Sequence, residues 1–80
     1  YMITIPKGSH THRDSYGHLG RELGIILKGK GCLKYENKEY ILNEGDSASF
    51  SAAVPHVLEN VGDVDLQAIW VVTPAQRFVK

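Results

Sequence analysis

Two short stretches of this chain hold the residue types that can do chemistry. Three of the four histidines, His10, His12 and His18, lie close together near the start, and Gly20-Arg21-Glu22 follows. The second stretch runs Gly45-Asp46, then Ser51, Ala53, Pro55-His56 and Asn60. Imidazole nitrogens with a carboxylate form a borderline donor set that suits Zn, Fe, Mn, Ni or Cu. Without a metal, the same groups are hydrogen-bonding polar residues lining a pocket for an organic ligand. His10-Thr11-His12 can be read in two ways. On a strand both imidazoles face one way and form a pair; in a loop they are solvated surface residues. The crowding of histidines favours a metal or polar pocket.

Groups this far apart in sequence need a fold that brings strands together. Glycines and Asn/Asp pairs recur at the spacing of an all-β sandwich or barrel. Met2 to Ile5 is a short β-prone run, and Pro6-Lys7-Gly8-Ser9 turns the chain. Residues 9–21 read as an irregular loop or weak strand. Leu23 to Leu27 reads as a strand. Leu33 and Tyr35 alternate with Lys34, Glu36-Asn37 makes a two-residue turn, and Tyr40 and Leu42 alternate with Ile41. Asn43-Glu44-Gly45-Asp46 turns again before Ala48 and Phe50, which alternate with serines. His56 to Asn60 is another strand, closed by Asn60-Val61-Gly62-Asp63. Leu66 to Val72 is the strongest, with Leu66, Ala68, Trp70 and Val72 on one face and Ile69 and Val71 on the other. Apolar residues on both faces predict a strand covered on both sides. The expected fold is all-β: about seven antiparallel strands closing into a small barrel or jelly roll.

Composition narrows the function. The chain has 80 residues, with nine Lys+Arg against nine Asp+Glu and no net charge. That length fits one domain. The balance lacks the basic footprint of a nucleic-acid-binding domain. Apolar runs such as Ile69-Trp70-Val71-Val72 fall far short of the roughly 20 residues that span a membrane. Cys32 is the single cysteine, so no intrachain disulfide forms, which suits a reducing cytoplasm. It reads as a small buried apolar side chain, since no cationic neighbour in sequence would activate it. Tyr35, Tyr40 and Trp70 read as core or interface packing. Lys28, Lys30, Lys34 and Lys38 read as a solvated face. The chain opens Tyr1-Met2, which fits either a native start at Met2 or a segment of a longer protein.

The two stretches together resemble the paired motifs of the cupin superfamily. Glu22 and Gly29 keep the first motif's Glu-to-Gly spacing, His18 stands at its second histidine, and Tyr16 replaces its first. Gly45, His56 and Asn60 match the second motif, whose Pro and Gly have become Ser51 and Ala53. Glu22 to Gly29 and Trp70 to Pro74 look like one subgroup, the small cupins that follow a helix-turn-helix domain in bacterial XRE-type regulators. The resemblance implies a double-stranded β-helix, the cupin jelly roll, with residues 1–80 as a single domain excised from a chain that begins with a DNA-binding domain. It implies a metal site of His18, Glu22, His56 and Tyr16, with His10 and His12 as alternative ligands. Tyr16, His18, Glu22 and His56 would line the ligand pocket. An intact site would take one divalent transition metal, Zn, Fe, Mn or Ni; a degenerate site would take none. The implied role is to bind a small-molecule effector in the cytoplasm as a homodimer, with DNA contacted only through the missing domain and no membrane. The other reading is a stand-alone metal-dependent isomerase, lyase or dioxygenase. The resemblance favours the binding role.

Overall fold

The computed structural model describes residues 1–11 and 20–74. Every regular element among them is a strand: β1 (Met2–Ile5), β2 (Gly20–Lys28), β3 (Gly31–Tyr35), β4 (Lys38–Leu42), β5 (Ser47–Ser51), β6 (His56–Asn60) and β7 (Leu66–Pro74). Neighbouring strands are antiparallel and form two sheets, one ordered β1-β7-β2-β5 and the other β4-β3-β6. This is the all-β jelly-roll architecture expected from the pattern. No helix among the described residues is long and apolar enough to cross a membrane.

The inner faces of the sheets meet over one core of Ile5, Ile26, Leu33, Leu42, Phe50, Leu58, Leu66, Ala68 and Trp70. Alternation decides which residues enter it, since successive side chains point to opposite faces. Along β2, Glu22, Gly24 and Ile26 are buried while Arg21, Leu23, Ile25 and Leu27 are exposed. Along β6, His56, Leu58 and Asn60 turn inward. Glu36 and Asn37 both have positive φ, 51° and 62°. That backbone matches a two-residue hairpin turn to the twist of β3 and β4.

Two expectations need correction. The strand expected from Leu23 begins at Gly20, which places Glu22 within the sheet. It starts earlier because Arg21 and Glu22 pair on both sides, with Ser51 and Phe50 of β5 and with Thr73 and Val72 of β7. The strand expected to be covered on both faces is covered on one: Ile69 and Val71 are exposed, and so is Val72 near the strand end. Among the described residues nothing covers that outer face. Of the aromatics read as core or interface packing, Trp70 is buried in the core and Tyr40 is 45% exposed on the edge strand β4. The four lysines are exposed as expected.

One residue from each motif, Asn60 and Gly29, holds the frame. Asn60 is buried; its Nδ2 donates to the carbonyls of Ile5 and Val64, both at 2.8 Å, and its Oδ1 accepts from Gly62 N at 2.9 Å. One side chain thus ties β1, β6 and the following turn together. Gly29 has φ of +93°, and a Cβ there would press on the Asp65–Leu66 backbone. Only glycine meets both demands without strain.

Cys32 is buried, with Sγ 3.6 Å from Glu39 Oε1. Burial first, and then the Glu39 carboxylate, hold its thiol above the ordinary value of 9.0. The folded chain therefore keeps this proton longer than the unfolded chain. The stability linked to it is fully present below the ordinary thiol value and is lost as pH rises through the folded value. A thiol reagent should label Cys32 slowly in the native protein, with the rate rising in step with urea unfolding. Fast labelling of the native chain at neutral pH would contradict the buried assignment.

Candidate functional site

Glu22 and His56 come from opposite sheets and meet inside the barrel. Glu22 sits on β2, between Val72 of β7 and Phe50 of β5. His56 opens β6, opposite Tyr35 of β3. Both are buried, with side chains only 2% and 4% exposed, and Glu22 Oε2 lies 3.0 Å from His56 Nε2. A carboxylate taken out of water needs compensating donors. One is the Trp70 indole, whose Nε1–H donates to Glu22 Oε1 at 2.7 Å.

That bond depends on Gly24. Gly24 and Trp70 are register partners on β2 and β7. The indole lies against Gly24, where any Cβ would overlap its six-membered ring. Lying there, it reaches Glu22, two residues along the same face of β2. The absence of a side chain at Gly24 thus lets a tryptophan on one strand serve a carboxylate on the next.

The histidine is oriented as firmly. Its Nδ1 lies 2.7 Å from the Val54 carbonyl, which can only accept, so Nδ1 carries the proton. The Phe50 ring meets the imidazole edge-on, with centroids 4.7 Å apart at 64°. Nε2 is therefore aimed into the interior. Nε2 is buried, makes no hydrogen bond, and lies 3.0 Å from Glu22 Oε2. A ring nitrogen and a carboxylate oxygen converging this way present two donors to a cation. A backbone carbonyl fixing the other ring nitrogen is a usual accompaniment of metal-ligating histidine. The donor chemistry at these two residues fits a divalent transition metal.

Beside the pair lies a cavity of about 210 Å³ lined by Tyr1, Ile3, Thr11, Glu22, His56, Leu58 and Trp70. Its lining is mostly apolar, with Glu22, His56 and Thr11 among the polar contributors. Thr11 is held there by β6: Leu58 N donates to its Oγ1 at 3.0 Å, and Thr11 N donates to Leu58 O at 2.9 Å.

Of the residues singled out from sequence, the structure brings Glu22 and His56 together. His10 is exposed and bridges to Glu59 on the outer edge of β6, and its neighbour Thr11 faces the cavity. His12, Tyr16 and His18 lie outside the described residues. Among the described residues no group of three or more His, Cys, Asp or Glu side chains is placed to hold a metal. Sequence reasoning missed two members of the site. Thr11 was read only as the spacer between two histidines, and Trp70 was assigned to packing. Trp70 does pack in the core; its hydrogen bond to Glu22 follows from the β2–β7 register, with a glycine opposite a tryptophan as the visible signal.

Three comparisons place this geometry among known proteins. The family model Cupin_2, described as a cupin domain, matches residues 1–72. An uncharacterized protein of Methanocaldococcus jannaschii is 29% identical over 65 residues, which cover 81% of this chain and 51% of that protein. The chain thus spans about half the length of that relative. The crystal structure of the Cupin_2 domain of an XRE family transcriptional regulator from Enterobacter cloacae superposes with a TM-score of 0.87 at 13% identity, covering 94% of this chain and 79% of that one. A predicted oxalate decarboxylase from Thermotoga maritima superposes with a TM-score of 0.80 at 25% identity, covering 92% of this chain and 64% of that one.

Substituting Gly24→Ala should displace the Trp70 ring and uncouple it from Glu22. The expected loss of stability is about 3 kcal/mol, at the upper end for inserting one methyl into a packed interior. Urea denaturation followed by tryptophan fluorescence reads both effects. An unchanged midpoint with unchanged native emission would show that the indole is not held against this glycine.

Proposed function

This chain belongs to the cupin domain family, and we propose that it is the effector-binding module of a transcriptional regulator, taking a compact ligand into the cavity over Glu22 and His56. The observation that carries this reading is the buried pair at the polar end of an apolar cavity. The cavity, about 210 Å³, has room for a compact organic ligand. Its apolar part rests on Ile3, Leu58 and Trp70, and its polar end meets Glu22, His56 and Thr11. Placing few polar groups in an apolar cleft is how small-molecule sites fix orientation.

The regulator role draws on the Glu22–Gly29 and Trp70–Pro74 segments and on the zero net charge. A sensing module without a basic face leaves DNA to another domain, here a helix-turn-helix domain outside these residues. The fold is also the one adopted by the Cupin_2 domain of the Enterobacter cloacae regulator. On this reading the module works in the cytoplasm, and the ligand acts through its different affinities for two states of the whole regulator.

Glu22 and His56 are the described residues that would hold a divalent metal, with further ligands drawn from His18, Tyr16 or His12. Bound there, it would supply a Lewis-acid anchor for a ligand oxygen. The same pair supports a second reading, a small metal-dependent cupin enzyme, to which the 25% identity with a predicted oxalate decarboxylase adds weight.

Two measurements test the proposal. The coding sequence upstream of Tyr1 should encode a helix-turn-helix domain; a reading frame that starts at Met2 removes the regulator role. Zn(II) titrated into the purified chain should bind near one equivalent and raise the melting temperature. His56→Ala should weaken that binding more than about 100-fold, beyond the effect of losing an outer-shell partner. Equal affinity and equal thermal shift in His56→Ala would remove His56 from the site.

A further inference from the structure

The four-stranded sheet ends on β5, whose outer edge pairs with no strand among the described residues. The register shows what that edge presents. Ile26 N donates to Asp46 O, and Ala52 N donates to Gly20 O. Antiparallel bonding alternates, so Ala48 and Phe50 turn their backbone groups to β2, and Ser47 and Ser49 turn theirs outward. Such a row is a template for one more strand. The other sheet edges are blunted. β1 is only four residues long, β4 carries Lys38 and Glu39, and β6 is met by His10 and Thr11. The sequence of β5, Ser-Ala-Ser-Phe-Ser, holds no charge and no proline.

Beside this edge, between the two sheets, lies a second cavity of about 280 Å³. It is lined by Leu33, Tyr35, Tyr40, Leu42, Ala48 and Phe50 together with the two serines, and it shares no lining residue with the cavity over Glu22 and His56. Ala48 and Phe50 face it, so residues set opposite them on an added strand would point into it. Tyr40 lines it while 45% exposed, so its ring would gain cover. On the other face of the sheet, Arg21 Nη2 donates to Ser49 Oγ at 3.3 Å, which brings an exposed cation onto β5. An added strand would lie about 4.8 Å beyond β5, so a carboxylate opposite Ser49 comes within reach of that guanidinium.

We propose that the free edge of β5 and the cavity beside it form a docking site for an extended peptide strand, one that carries apolar side chains inward and a carboxylate outward. A small organic molecule could fill the cavity alone. Only another main chain also answers a row of alternating backbone donors and acceptors, and only an acidic one answers Arg21. The site is separate from the one proposed for the compact ligand and does not rest on it.

A capped peptide of seven residues tests the proposal, with valine, phenylalanine and valine at even positions and threonine, glutamate, glutamate and threonine at odd ones. Titrated into the isotopically labelled chain, it should shift the backbone amide signals of Ser47 to Ser51 and of Tyr40, with a dissociation constant of about 100 μM. Ser49→Pro removes an N–H that β2 does not use, so the sheet should form while binding weakens about 10-fold or more. Arg21→Gln should weaken binding about 3-fold, as for an exposed charge pair. The same peptide methylated on its backbone nitrogens should not bind the wild-type chain, a result that needs no protein variant to fold. No saturable shift at about 2 mM peptide overturns the proposal. So do shifts centred on Glu22 and His56, equal binding of the methylated peptide, or equal binding by folded Ser49→Pro. Shifts at β5 that follow protein concentration without peptide also overturn it, because a second copy of the chain then holds the edge.

Discussion

The carboxylate of Glu22 is the constraint around which the interior is arranged. It is taken almost wholly out of water in the middle of a sheet, where a charge without partners costs several kcal/mol. One oxygen is met by the Trp70 N–H, and the other faces His56 from the opposite sheet. Each of these meetings makes a further demand. The indole can lie where it does only because Gly24 has no side chain. The imidazole presents Nε2 because Nδ1–H donates to Val54 O and the Phe50 ring packs against it at 64°. Glycine, tryptophan, phenylalanine and a backbone carbonyl are thus all engaged in supporting two side chains.

The same arithmetic gives the cavity its character. Oε1 accepts from the indole, and Oε2 and Nε2 face each other between the two sheets. Both lie at one end of a space otherwise walled by Ile3, Leu58 and aromatic side chains. Apolar walls exclude water from around the pair and strengthen whatever polar contact is made there. Asn60 keeps this arrangement fixed from outside the cavity. It binds the backbones of β1 and of the turn before β7 through a single amide, so the strands that carry Ile3 and Trp70 keep their places relative to β6.

Much of the fold was legible because it rests on local rules. A period of two marks strands, and Gly, Asn and Asp mark turns; the hairpin at Glu36-Asn37 and the inward set Leu66, Ala68 and Trp70 follow from them. Glu22 and His56 were legible as a pair only through resemblance to the cupin motifs, since nothing local relates positions so far apart. What sequence could not show was register. Trp70 becomes a partner of Glu22 because β7 pairs with β2 so that Gly24 faces Trp70, and a slip of one residue would turn the indole outward. Thr11 escaped notice for a related reason. Its place in the cavity comes from pairing with Leu58, forty-seven residues away. The misjudged burial of Ile69 and Val71 has another source. A pattern of apolar residues reports which surfaces avoid water, and it does not say whether the cover comes from the same chain.

That last point links the two faces of the sheet. On β2 the order is Glu22 inward, Leu23 outward, Gly24 inward, Ile25 outward; on β7 it is Ile69 outward, Trp70 inward, Val71 outward. Residues next to one another in the chain therefore serve opposite surfaces, and a strand cannot move one without moving the other. Closely packed sheets transmit such displacement because their interiors have little free volume to absorb it. If a ligand at Glu22 and His56 shifts β2 or β7, the shift is delivered to the outer rows of Leu23, Ile25, Ile69 and Val71. A displacement at the proposed binding site therefore reaches the outer face of the same sheet across a single layer of strands.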